Sequence, residues 1–250
     1  MEETMSNENN TPERLALRIQ LNMQGKENLE DFMLNLVHPE PQDTVLEIGC
    51  GSGKQMRVFA PLVHSMLCTD VSQDLLDVAQ NDGIPENVRL MQLDMDEAAS
   101  TLSGRYSLIY SVYALYYSKD VNALIENIGK KLLAENGRFL CVAPDTNNNR
   151  QWFEDLETLF PLPEDIAQSP TVSRSKILPA MLDTFQSISC QRFRNSLTFF
   201  SVDEVMRYYD ACVYCPVEKR AQAQQFFARK MGATGSYVIT KCALGMLGRS

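Results

Sequence analysis

A short apolar run that ends in three closely spaced glycines constrains this chain more than any other stretch. Residues 44–53 are TVLEIGCGSG, so Gly49, Gly51 and Gly53 follow directly on a run that contains β-branched side chains. This pattern predicts a buried strand that enters a glycine turn. Glycine adopts positive φ at little cost and lets a ligand approach the bare backbone. The stretch therefore predicts a small-molecule site.

Two well-known phosphate-binding motifs fail in this stretch. The dinucleotide fingerprint G-x-G-x-x-G requires glycine at position 54, where the chain has Lys54. The P-loop requires glycine at position 48 and Ser or Thr after the lysine, where the chain has Ile48 and Gln55. The glycine turn therefore does not favour a pyrophosphate or a triphosphate ligand.

Acidic residues follow the next two predicted strands. The second strand, residues 65–69, ends at Asp70. An acid about 20 positions beyond a glycine turn is where a doubly wound sheet places a carboxylate for the ribose hydroxyl groups. The third strand, residues 88–93, is followed by Asp94 and Met95. Helix capping is the alternative role for both acids.

The series Glu47-x-Gly49-x-Gly51-x-Gly53 resembles the first motif of the class I S-adenosylmethionine-dependent methyltransferases, and the segment that begins at Asp70 resembles their second motif. The resemblance covers residues 44–145 and implies S-adenosyl-L-methionine as the cofactor. It implies that the glycine loop lies under the amino-acid end and the ribose of the cofactor, and that Asp70 accepts hydrogen bonds from the ribose. It also implies that Asp94 accepts a hydrogen bond from the adenine amino group and that Met95 packs against the adenine ring. The cofactor-binding residues that it implies are Glu47, Gly49, Gly51, Gly53, Asp70, Val71, Asp94, Met95 and Ser111.

Five short apolar runs alternate with helical patterns up to residue 145, which predicts a parallel sheet with helices on both faces. Residues 187–200 and 236–244 add two more predicted strands, separated by two helices. This ending resembles the small-molecule methyltransferases, whose last two strands are separated by a helical cover. The expected fold is α/β: a Rossmann-like, doubly wound sheet of about seven strands, mostly parallel with an antiparallel last strand, with a helical cover over the carboxyl ends of the strands.

We expect one methyltransferase domain over residues 1–250. The expected segments are a disordered stretch at 1–12, an N-terminal helical cap at 13–40, the cofactor-binding core at 44–145, and substrate-cover segments at 145–172 and 201–232.

The segment after the fourth strand should shape the substrate pocket, because ligands of open α/β sheets bind beyond the carboxyl ends of the strands. It contains Tyr113, Tyr116 and Tyr117, whose rings and hydroxyl groups suit an organic substrate. We expect these tyrosines and Trp152 to bind substrate, with core packing as the alternative for Tyr116, Tyr117 and Trp152. Tyr113 is also the candidate catalytic residue. Asp145 is an alternative base, and proximity without a dedicated base is a third possibility.

Charge and cysteine content bear on partners and location. The formal net charge is −9, which disfavours nucleic acid because its binders neutralise phosphates. Seven scattered cysteines favour a reducing compartment, and their spacing predicts no metal site. The N-terminus lacks the apolar core of a signal peptide, and no run is long enough to span a membrane. We expect a cytoplasmic enzyme without nucleic-acid or membrane partners, and leave its oligomeric state open.

Methyl transfer from S-adenosyl-L-methionine to a small organic acceptor, by in-line displacement, is the favoured function. The alternatives are a protein or RNA methyltransferase, a non-catalytic S-adenosylmethionine-binding protein and an NAD-dependent oxidoreductase. Whether the acceptor atom is O, N or C is left open. Arg192 and Arg194 are candidates to hold a carboxylate or phosphate of the substrate, with exposure on a strand as the alternative.

Overall fold

The computed structural model describes residues 11–22 and 24–250, so the expected disorder at 1–12 lies almost wholly outside the described residues. The helices are α1 (Pro12–Asn22), α2 (Leu29–Val37), α3 (Lys54–Phe59), α4 (Gln73–Asn81), α5 (Ala98–Thr101), α6 (Val121–Asn127), α7 (Arg150–Glu157), α8 (Glu164–Gln168), α9 (Leu178–Thr184), α10 (Val202–Ala211) and α11 (Arg220–Thr234). The strands are β1 (Thr44–Ile48), β2 (Ser65–Asp70), β3 (Val88–Gln92), β4 (Tyr106–Val112), β5 (Leu133–Pro144), β6 (Ser187–Phe199) and β7 (Tyr237–Arg249).

The strands form one sheet in the order β3-β2-β1-β4-β5-β7-β6. Strands β1 to β5 pair in parallel, and β7 runs antiparallel to β5. The predicted α/β sheet of seven strands, mostly parallel with an antiparallel last strand, is thereby confirmed. The strand order reverses between β1 and β4, and in a doubly wound sheet the ligand crevice lies at this reversal, outside the carboxyl ends of the strands.

The central strands are buried on both faces, as their continuous apolar runs predict. In β1, Val45 packs into one hydrophobic cluster and Leu46 into another, because successive side chains of a strand point to opposite faces. Met33 of α2 packs into the first cluster, and Ile125 of α6 packs into the second. Helices therefore cover both faces of the sheet.

The expected single domain, 1–250, divides in the structure into two compact units. The larger unit comprises Leu29–Asp145, Thr171–Phe193 and Ala243–Ser250, and the smaller unit comprises the described residues up to Asn28, Thr146–Pro170 and Arg194–Cys242. The division has a physical reason, because the segments of the smaller unit bring a hydrophobic core of their own around Trp152.

The expected helical cap at 13–40 consists of two helices that contribute to different cores. Helix α1 contributes Leu21 to the core around Trp152, whereas α2 contributes Met33 to a core of the larger unit. The two helices are separated near Gly25 and belong to different units.

Candidate functional site

The glycine turn after β1 has the backbone geometry that the sequence predicts. Gly49, Gly51 and Gly53 all adopt left-handed conformations, with φ of 75°, 55° and 79°. Gly49 is required for a second reason, because a Cβ added there would lie 2.4 Å from the Cβ of Ala114. The turn thus presents bare backbone at the carboxyl end of the central strand.

Asp70 connects the end of β2 to this turn. Its Oδ2 accepts a hydrogen bond from the Gly51 N–H at 2.8 Å, and its Oδ1 accepts one from the Ser72 N–H at 2.9 Å. Burial raises the pKa of Asp70, although these backbone donors oppose the shift. Each carboxylate oxygen can accept a further hydrogen bond, which is the capacity that two ribose hydroxyl groups would use. The adjacent Val71 is 48% exposed, so an apolar side chain flanks the carboxylate.

Glu47 and Ser111 lie inside the sheet beside the turn. The Tyr110 hydroxyl donates to Glu47 Oε2 at 3.0 Å, and burial raises the pKa of Glu47 to about 8. The Ser111 hydroxyl is fully buried and donates to the Ile48 carbonyl at 2.8 Å. These contacts join β1 to β4 where the glycine turn begins. Direct contact of either side chain with the cofactor stays a prediction.

Asp94 acts as a cap at the end of β3. Its Oδ1 accepts from the Asp96 N–H at 3.0 Å, and its Oδ2 forms an ion pair with Lys119 at 3.3 Å. The capping alternative is therefore confirmed. Met95 is half-buried and packs against the core of the larger unit. The adenine-binding roles of Asp94 and Met95 stay predictions.

Three tyrosines lie at the carboxyl end of β4, as expected. Tyr113 follows the strand with φ of 54°, and its N–H donates to the Val142 carbonyl at 2.8 Å. Left-handed backbone costs a non-glycine residue about 1–2 kcal/mol, and such strain clusters at functional sites. Tyr116 and Tyr117 form the next turn with ring centroids 4.7 Å apart, and Tyr117 is 45% exposed.

Trp152 belongs to the core of the smaller unit. Its ring is fully buried and stacks on Phe227 at 5.3 Å, and its Nε1 donates to the Tyr214 hydroxyl at 3.2 Å. Trp152 therefore has the surroundings of a core residue, which is the alternative to a substrate-binding role for this side chain.

Asp145 follows β5 and is held by two arginines. Arg174 donates to it from Nε at 2.5 Å and from Nη2 at 3.0 Å, and Arg192 donates from Nε at 2.8 Å. A general base needs a carboxylate oxygen that can take a proton, and both oxygens accept from guanidinium groups. The arrangement therefore disfavours Asp145 as the base. Sequence reasoning missed Arg174, because no local pattern marks a contact that spans 29 residues.

The comparisons with known proteins agree with this geometry. A family model described as "Methyltransferase domain" matches residues 19–201. The uncharacterised methyltransferase YcgJ of Bacillus subtilis (strain 168) is 28% identical over 115 residues, which covers 44% of this chain and 44% of that protein. The alignment thus spans less than half the length of the curated relative.

Two solved structures share the fold. The crystal structure of YcgJ from Bacillus subtilis matches with a TM-score of 0.60 and 18% identity, over 88% of this chain and 97% of that chain. Geranyl diphosphate C-methyltransferase from Streptomyces coelicolor A3(2), in complex with Mg²⁺, geranyl diphosphate and S-adenosyl-L-homocysteine, matches with a TM-score of 0.51 and 16% identity, over 88% and 77% of the two chains. Because the family model covers more than half of the chain, the protein belongs to the methyltransferase-domain family, within the class I S-adenosylmethionine-dependent methyltransferases.

Proposed function

We propose that this protein transfers the methyl group of S-adenosyl-L-methionine to a small organic acceptor. The contact between Asp70 and the Gly51 N–H carries the proposal, because it sets a carboxylate against a left-handed glycine turn at the carboxyl ends of two neighbouring strands. In this arrangement the turn would receive the amino-acid end of the cofactor, and Asp70 would accept from its ribose hydroxyl groups.

The residues around the turn fit the cofactor in shape and chemistry. A Cβ at Gly53 would meet the end of the Met56 side chain at 2.8 Å on a residue whose φ is positive, so this position of the turn favours glycine. Val71 and Met95 supply apolar surface for the adenine ring, and Asp94 supplies an acceptor for its amino group. When bound, the cofactor supplies an electrophilic methyl carbon on a sulfonium.

The protein's own contribution is to position the acceptor. The hydrogen bond from the Tyr113 N–H to Val142 fixes this strained residue at the end of β4, next to Ala114, which contacts the glycine turn. Alignment at near-attack distance can lower a barrier by about 7 kcal/mol or more. We propose that the Tyr113 hydroxyl takes the proton of a protonated acceptor as it gives up its own proton to water, and that alignment alone suffices for an acceptor without a proton to lose.

Composition and comparison support a small acceptor in the cytoplasm. The net charge of −9 counts against RNA, and the acceptor of the Streptomyces coelicolor enzyme named above is a small molecule. Across the described part of the chain, which holds all seven cysteines, no disulfide joins them, as in a reducing compartment. Across residues 11–22 and 24–250, no helix is both long and apolar enough to cross a membrane. We retain residues 145–172 and 201–232 as the proposed substrate cover.

Calorimetry with S-adenosyl-L-homocysteine and with NAD tests the class of ligand. We expect heat of binding with the first and none with NAD, and tighter binding of NAD would contradict the proposal. Release of S-adenosyl-L-homocysteine from S-adenosyl-L-methionine, followed with small organic acceptors, protein and RNA, then separates the acceptor classes. Cofactor binding without turnover of any acceptor would favour a non-catalytic binding protein.

A further inference from the structure

We propose that Cys212 and Cys215 form a redox-sensitive modification site, at which a hydroperoxide converts the two thiols into a disulfide. The two residues lie between α10 and α11, and the side chains around them all belong to the smaller unit. The inference goes beyond the proposed methyl transfer, because none of these side chains belongs to the candidate cofactor site. Disulfides of proteins in reducing compartments are usually transient and redox-sensing.

The backbone of the turn sets the two cysteines at disulfide distance. Residues 212–215 read CVYC, and the Cys215 N–H donates to the Cys212 carbonyl at 3.3 Å. Such a four-residue turn keeps its first and fourth Cα atoms within about 7 Å. A disulfide spans Cα separations of about 4.4–6.8 Å. The Cys215 thiol also donates a hydrogen bond to the Cys212 sulfur, so the two sulfurs already face each other. The pair can therefore close a disulfide within the existing turn.

Cys212 has the surroundings of a thiolate although only 2% of it is exposed. It accepts a second hydrogen bond from the Tyr214 hydroxyl, which in turn accepts from Trp152 Nε1 at 3.2 Å. Lys241 and Arg18 add positive charge nearby. Burial acts to raise the pKa of Cys212, but the hydrogen bonds and the two cations outweigh burial and hold the pKa below its usual value.

Both cations are held beside Cys212 by further contacts. Lys241 of β7 donates a hydrogen bond to the Tyr208 hydroxyl, and its Nζ lies 4.9 Å from the centroid of that ring. Arg18 of α1 donates to the carbonyl of Ala211, the residue before Cys212, at 3.5 Å. Burial lowers the pKa of Lys241 to about 8, and the charge of Cys212 opposes this shift. The cluster therefore stabilises the thiolate form of Cys212.

Two other thiols show that burial or exposure alone does not produce this environment. Cys141 of β5 is 1% exposed, and burial raises its pKa. Cys190 of β6 is exposed, yet partial burial raises its pKa too, against the opposing charge of Arg174. Because the thiolate is the form that attacks an oxidant, Cys212 should react before either of them.

The turn that holds the pair lies at the surface of the smaller unit. Val213 and Pro216 are half-buried, and Val217 is 72% exposed. Exposed segments of this kind open locally at a small cost in free energy. A small oxidant such as hydrogen peroxide can then reach the sulfur of Cys212.

The reaction balances with hydrogen peroxide as the oxidant. The Cys212 thiolate attacks one peroxide oxygen, so that an S–O bond forms and the O–O bond breaks, and the leaving hydroxide takes up a proton and departs as water. The Cys215 sulfur then attacks the sulfenic sulfur of Cys212. The S–S bond forms, the S–O bond breaks, and the hydroxyl group leaves with the Cys215 proton as a second water. Two electrons pass from the two sulfurs to the peroxide.

Peroxide treatment of the reduced, full-length protein tests the inference. Free thiols are then blocked under denaturing conditions with N-ethylmaleimide, and tryptic peptides are analysed by mass spectrometry without reduction. Trypsin releases both cysteines in one peptide, residues 208–219, which a disulfide leaves unblocked and two hydrogens lighter. Wild type is compared with Cys212→Ser, Cys215→Ser and, as the matched control, Cys190→Ser. Dimedone labels sulfenic acids in parallel samples.

We expect the disulfide to form in wild type and in Cys190→Ser alike, and at least about tenfold faster than Cys190 of wild type is oxidised. Dithiothreitol should restore both thiols. In Cys215→Ser, dimedone should label Cys212, because the sulfenic acid has lost its partner. In Cys212→Ser, Cys215 should be labelled at least about tenfold more slowly, since burial raises its pKa.

Three results would overturn the inference. The first is a peptide 208–219 that stays fully blocked at peroxide doses that oxidise Cys190. The second is a disulfide from Cys212 or Cys215 to another cysteine of the chain. The third is dimedone labelling of Cys215 in Cys212→Ser that is as fast as that of Cys212 in Cys215→Ser. If a serine variant fails to fold, as circular dichroism would show, wild type and Cys190→Ser still decide between the first two results and the disulfide.

Discussion

The carboxylate of Asp70 accepts a hydrogen bond from the backbone N–H of Gly51 at 2.8 Å, and this contact joins the end of β2 to the glycine turn after β1. A second bond, from the Ser72 N–H, holds the other oxygen. The carboxylate is thus oriented by the protein itself. Such preorganisation reduces the entropy that a bound ligand would otherwise lose in ordering the group.

Replacement of Asp70 should weaken cofactor binding. We expect Asp70→Ala to reduce the affinity for S-adenosyl-L-homocysteine by about 1–3 kcal/mol, the scale of a lost hydrogen bond to a charged group. Calorimetry measures the change. Asp77→Ala is the control, because Asp77 is an exposed acid on α4 that bonds Gln73. Unchanged affinity in Asp70→Ala would remove this residue from the site.

The glycine turn should tolerate no side chain at its first position. Gly49→Ala places a Cβ 2.4 Å from that of Ala114, in addition to the strain of positive φ. Gly83→Ala measures the cost of positive φ alone, because Gly83 has φ of 85° and no heavy atom lies within 4 Å of the added Cβ. We expect urea unfolding to show a loss of about 1–2 kcal/mol for Gly83→Ala and a larger loss for Gly49→Ala.

The double variant Gly49→Ala/Ala114→Gly completes this series. It removes the contact between the two Cβ atoms but keeps the positive φ, so its stability should recover towards that of Gly83→Ala. Equal losses for Gly49→Ala and Gly83→Ala would show that the contact with Ala114 contributes nothing.

Glu47 should make stability depend on pH. Burial raises its pKa from 4.5 to about 8, so between these values the folded protein binds more protons than the unfolded chain. The free energy of unfolding therefore falls as pH rises through this range, by at most about 1.4 kcal/mol per pH unit for one group. In Glu47→Gln this contribution is absent, while the amide oxygen can still accept from Tyr110.

Denaturant unfolding at pH 5 and at pH 8 checks this expectation. The stability of Glu47→Gln relative to wild type should improve from the lower to the higher pH. A difference that is the same at both values would mean that Glu47 titrates alike in the folded and unfolded chains.

Trp152 should contribute to stability rather than to cofactor binding. We expect Trp152→Ala to lower the free energy of unfolding by about 3–5 kcal/mol, the usual cost of truncating a buried aromatic side chain. Trp152→Phe should be milder and should keep the affinity for S-adenosyl-L-homocysteine. Phe200, which is 73% exposed, gives the control, since Phe200→Ala should change stability by about 0.5 kcal/mol or less. Lost turnover in Trp152→Phe without lost stability would place Trp152 in the substrate site instead.

The sequence by itself determined the type and order of the elements that form the candidate cofactor site. The strand before Gly49, the acid at Asp70 and the tyrosines after β4 were all predictable, because apolar runs, glycine and chain breaks are local signals. Element bounds were less accurate. The third strand, expected over residues 88–93, spans Val88–Gln92, and β5 extends over Leu133–Pro144 because its first residues pair with β4 across an irregularity in register.

Only the tertiary structure decided which distant residues meet and which side chains stay accessible. Asp145 meets Arg192 from 47 residues away, and Glu47 meets Tyr110 from 63 residues away. The division into two units depends in the same way on segments that share a core although they are far apart in the chain. Such contacts follow from packing the whole chain, and local propensity carries no information about them.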